Sequence, residues 1–86
     1  MNIEVPNYDK KSFKFMWESG YFIKCHFYDN EIIIEANKEG LVSLARHLLE
    51  LSQDAVPQFT HFHLDEFGAL EKGSSELIVV KHNFDD

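Results

Sequence analysis

His61-Phe62-His63-Leu64-Asp65-Glu66, with Ser75-Glu76-Leu77-Ile78-Val79-Val80 nine residues further on, is the stretch on which the fold turns. The first run alternates polar and apolar side chains with a period of two, the pattern of a strand half buried in a sheet. Phe62 and Leu64 then enter one face, and His61, His63 and Asp65 leave by the other. Strands are expected over residues 59–65 and 76–81, with Gly68, Gly73 and Ser74 breaking the chain between them.

Upstream, Ser12-Phe13-Lys14-Phe15-Met16-Trp17-Glu18 alternates in the same way and predicts a strand ending at the Ser19-Gly20 turn signal. Residues 21–28 predict a second strand, with Ile23, Cys25 and Phe27 on one side and Lys24, His26 and Tyr28 on the other. Asp29-Asn30 tolerates the positive backbone angles of a tight hairpin. Residues 31–36, rich in isoleucine, predict the third strand of an antiparallel meander. The period then lengthens. Asn37 suits a helix N-cap and Glu39 the first turn. Gly40 costs about 1 kcal/mol there unless its backbone packs closely on something. Leu41, Leu44, Ala45, Leu48 and Leu51 recur at helical spacing and predict an amphipathic helix to Gln53, before Pro57.

The order β-β-β-α-β-β makes an α+β fold, an antiparallel sheet of about five strands with one helix packed on one face. It forms a single domain over residues 1–86, with 1–11 and 83–86 loosely ordered. The expected core is Phe13, Phe15, Trp17, Ile23, Phe27, Ile32 and Ile34, packed under the leucines with Phe62 and Leu64. Alternation then fixes the opposite face as Met16, Phe22, Lys24, His26, Tyr28, Ile33, Glu35, His61, His63 and Asp65. His47 is expected on the solvent side of the helix, and Glu50 and Asp54 at its solvated end.

At 44% hydrophobic and 14% aromatic content, 86 residues hold ample material for a core. The net charge of −7, with no cluster of lysine or arginine, repels phosphate backbones and sets nucleic acid aside as a partner. It favours a basic protein partner instead. No apolar run reaches bilayer length and the first eleven residues lack the pattern of a signal peptide, so no membrane partner is expected. The lone Cys25 suits a reducing compartment, and the cytoplasm is the expected location.

Three separated blocks carry a resemblance. Glu35-Ala36-Asn37-Lys38-Glu39-Gly40-Leu41 with Leu44-Ala45 and Leu48-Leu49, then His61-Phe62-His63-Leu64-Asp65, then Gly73-Ser74-Ser75-Glu76-Leu77-Ile78 resemble the immunity protein 32 family of bacterial polymorphic toxin systems. The match spans about residues 31–80, in order and with fitting spacing. The resemblance implies a small cytoplasmic α+β protein that binds and neutralises a cognate toxin without catalysis and without a cofactor. It transfers no contact residues, so the site is argued from chemistry.

A docking surface is the first reading of the polar sheet face, built on His26, Tyr28, Glu35, His61, His63 and Asp65, where aromatic and imidazole groups mix with acids. A metal site is the second. Side chains at i and i+2 lie roughly 6.6 Å apart along a strand, so His61 and His63 could converge on one ion, with Asp65 as third ligand and His26 as fourth. A homodimer paired through the open face or an edge strand is the third. Covalent catalysis has no support: Cys25 and His26 point to opposite faces, Cys25 shares the side of Ile23 and Phe27, and no serine lies in a nucleophile motif.

Overall fold

Asp29 and Asn30 turn the chain with φ of 51° and 65°, the pair of positive angles that matches the twist of a two-residue hairpin. In the computed structural model, which describes residues 1–8 and 15–83, this turn joins β1 (Ile23–Tyr28) to β2 (Glu31–Ala36). The helix α1 (Lys38–Ser52) follows, then β3 (His61–Leu64) and β4 (Leu77–Val80). The α+β class holds, but the described residues form two antiparallel pairs, β1 with β2 and β3 with β4, and not one sheet of five strands. Of the first expected strand, residues 12–14 lie outside the described residues and 15–18 join no ladder.

The division between the pairs has a local cause. Residues 71–75 run beside the outer edge of β1, where Glu71 N donates to Ile23 O and Ser75 N to Cys25 O. Between those bonds Gly73 takes φ 89°, and the Ser74 hydroxyl, not a carbonyl, accepts from Cys25 N at 3.2 Å. A side chain in place of a backbone group interrupts the ladder, so the two hairpins meet without merging.

β3 keeps the expected register. Phe62 and Leu64 are buried while His61 and His63 are exposed. The core joins them to Ile23 and Cys25 of β1, Leu44 and Leu51 of α1, and to Val56 and Leu70. Asp65 shapes the chain beyond β3: its Oδ1 accepts from Phe67 N and its carbonyl from Leu70 N, which turns Leu70 inward. Lys81 closes the far end of the helix, its Nζ donating to Gln53 O and Val56 O at 2.6 and 2.9 Å.

The helix is rolled away from the leucine stripe. It buries Gly40, Ser43, Leu44, Arg46, His47, Glu50 and Leu51, and leaves Leu41, Leu48 and Leu49 exposed. His47 and Glu50, expected in solvent, are fully buried. Partners distant in sequence produce this. Asn37 caps the helix through Gly40 N at 2.8 Å, and the same Oδ1 accepts from Phe22 N at 2.9 Å. Ser43 Oγ donates to Glu39 O and accepts from Glu18 N. Arg46 donates to the carbonyls of Glu4 and Met16 and to the Glu18 carboxylate. Gln53 bonds Tyr8 N and Pro6 O. Residues 4–8 thus lie strapped along the helix, with Met1 and Ile3 beside Leu41, Val42 and Ala45.

Gly40 fixes the roll. A Cβ there would fall against the Phe22 carbonyl oxygen and 2.9 Å from Ile23 Cγ1. The obstacle is largely backbone and cannot rotate aside. Gly40→Ala, which would stabilise an ordinary helix by about 1 kcal/mol, is instead expected to cost about 1–3 kcal/mol through overpacking. Equilibrium urea unfolding checks this, and a gain in stability would contradict the close approach.

Candidate functional site

In an antiparallel pair, residues directly opposite share a face. His63 faces Ile78 and His61 faces Val80, so the outer side of β3–β4 carries two imidazoles and two aliphatic side chains. The rings of His61 and His63 lie with centroids 5.0 Å apart. His61 Nδ1 lies 2.9 Å from the Phe59 carbonyl and His63 Nδ1 lies 3.2 Å from Glu76 Oε2. Each of those partners accepts, so each Nδ1 is the donor, and in the neutral rings Nε2 is left as an acceptor. Phe59 holds φ 73°, an uncommon conformation for a bulky residue, and places its carbonyl for this bond.

On the first hairpin, His26 faces Ile33 and Tyr28 faces Glu31, on the side away from Ile23 and Cys25. His26 Nε2 pairs with Glu35 Oε1 at 3.2 Å, and Tyr28 stands largely free in solvent. His26, Tyr28, Glu35, His61 and His63 therefore all lie on faces turned from the core. Asp65 is half-buried and engaged in its turn. Among the described residues, no three His, Cys, Asp or Glu side chains group so as to hold a metal ion. Glu35 holds His26, Glu76 holds His63 and the Phe59 carbonyl holds His61, so each imidazole has its own partner.

Cys25 is buried beside Ile23, and burial pushes its thiol up from the ordinary range, away from a reactive thiolate. His47 lies between Phe15, Trp17 and Phe62, with the Trp17 ring centroid at 4.4 Å. Burial and then the neighbouring Arg46 charge lower its pKa to about 4, with the Met16 carbonyl opposing weakly. It is a neutral core group at ordinary pH.

The hairpin tip departs most from the sequence expectation. Phe27, Ile32 and Ile34 do lie on the face of Cys25, but Phe27 is 62% and Ile32 72% exposed. Together with Glu76 and Ile78, these residues belong to a surface that alternation alone assigns to the core or passes over. Strand pattern tells which side a residue faces, not whether anything lies opposite. The one available signal is length: a single helix covers only part of two hairpins.

No helix among the described residues is long and apolar enough to cross a membrane. No curated relative and no solved structure matches the chain. The family model described as Immunity protein 32 matches residues 31–83, which include β2, α1, β3 and β4 and most of the outward face. With well over half its length matched, the chain belongs to the immunity protein 32 family.

Proposed function

We propose that this protein neutralises a cognate toxin by binding it, without catalysis, in the cytoplasm, through the sheet faces turned from the helix. His26, Tyr28, Glu35, His61 and His63 make the contacts, and Asp65 holds the turn at their margin. The observation that carries this reading, beside the family, is the exposed mixture of imidazole, tyrosine, aliphatic and carboxylate groups on both hairpins. Such a mixture is what partner interfaces bury, with a tyrosine anchor inside a polar rim. The net charge of −7 selects a basic toxin surface and speeds encounter with it.

Titration calorimetry with a candidate toxin from the neighbouring genes is the test. Tight binding is expected, and Tyr28→Ala combined with His63→Ala is expected to weaken it about tenfold or more, as loss of an interface anchor does. Both positions are exposed, so the melting temperature should hardly move. Absence of binding by the intact protein would remove this reading.

A further inference from the structure

Beyond Ser75 N···Cys25 O the two hairpins diverge, and the space between them is a cleft of about 260 Å³. Phe27 and Ile32 line one wall, Leu77 and Ile78 the other, and Glu76 stands at its edge. The volume suits a single large side chain, and Cys25 closes the floor. Glu76 and His26 line the cleft, Glu35 is held to His26 at 3.2 Å, and Asp29 and Glu31 lie between Phe27 and Ile32 at the hairpin turn, in a chain of net charge −7. Two copies meeting at this tip would bring those carboxylates together, which disfavours self-association. A cationic polypeptide meets no such cost.

We infer that the cleft between β1 and β4 receives one apolar side chain of a basic polypeptide segment, whose lysines or arginines pair with Asp29, Glu31, Glu35 and Glu76. This rests on the reading of the protein as a partner-binding module and names the anchor point within it. The apolar walls supply contact area, while the carboxylates choose the sign of the partner.

The probe is a short lysine-rich peptide carrying a single phenylalanine, followed by amide NMR of the whole chain. Shift changes are expected at residues 25–32 and 75–78, with Kd of about 1 mM or tighter. Salt at about 0.5 M should weaken it about tenfold. Replacing the peptide's phenylalanine by alanine, or its lysines by glutamates, should abolish the shifts. On the protein, Phe27→Ser with Ile32→Ser should do the same, and Glu31→Lys with Glu35→Lys, which leaves the apolar walls untouched, should weaken binding and reduce its salt dependence. No shifts at all, shifts centred on the helix flank, equal binding of the glutamate peptide, or a dimer formed through Phe27 and Ile32 in sedimentation would each overturn the inference. Failure here with toxin binding intact removes the cleft alone. Loss of toxin binding with peptide binding intact removes the immunity reading and leaves the cleft.

Discussion

Acidification from pH 7 to pH 4 is expected to remove about 3 kcal/mol of folding stability through His47 alone. In the unfolded chain this imidazole takes a proton near its ordinary value of 6.5, whereas in the fold it stays neutral down to about 4. Between those values the unfolded state holds the extra proton, so stability falls as pH falls through that window. Above it, the contribution is flat. The ring is fully buried and the Arg46 guanidinium lies on the adjacent residue, so a second positive charge is disfavoured there, and the Met16 carbonyl offsets this only in part. Urea unfolding across the pH range measures the slope. His47→Leu, which keeps an apolar ring-sized body without a titrating group, should flatten the curve between those limits. A variant with the parent's pH dependence would show that other groups carry it.

Phe62→Ala is expected to cost about 3–5 kcal/mol, enough to unfold most of a domain this small at ordinary temperature. Phe62 meets Phe15 and His47 edge to face at 5.9 and 6.2 Å, so its removal opens the space on which the aromatic group closes. The informative contrast is with the helix. Leu44→Ala should cost roughly 2–4 kcal/mol, whereas Leu48→Lys, on the exposed flank, should stay within about 0.5 kcal/mol. Thermal unfolding of the three variants separates the observed roll of α1 from the one that the leucines alone would choose. Equal damage from Leu44→Ala and Leu48→Lys would contradict it.

That contrast marks where sequence patterning stops. Alternation was sufficient for β3, because a strand's period of two fixes both faces once Phe62 and Leu64 are known to be inside. Asp29-Asn30 and Asn37 were legible for local reasons of backbone angle and capping. The buried stripe of α1 was not, because Ser43, Arg46 and Gln53 are satisfied by Glu18, Glu4, Met16, Pro6 and Tyr8, and local periodicity carries no record of such distant partners. Gly40 carried the one hint, as a helix glycine justified by close approach. For the site, the outward side of His26, His61 and His63 followed from alternation, and their pairing with Glu35 and Glu76 followed only from register. Phe27 and Ile32 sit on the apolar side as their pattern demands, yet stay largely exposed among the described residues.

The most direct measurement of the central claim is growth of cells that express a candidate toxin from the genes next to this protein's own. Co-expression of the intact chain should restore growth, and Tyr28→Ala with His63→Ala should fail to do so while accumulating as a folded protein. No restoration by the intact chain, or full restoration by the double variant, would contradict toxin docking on the face turned from the helix.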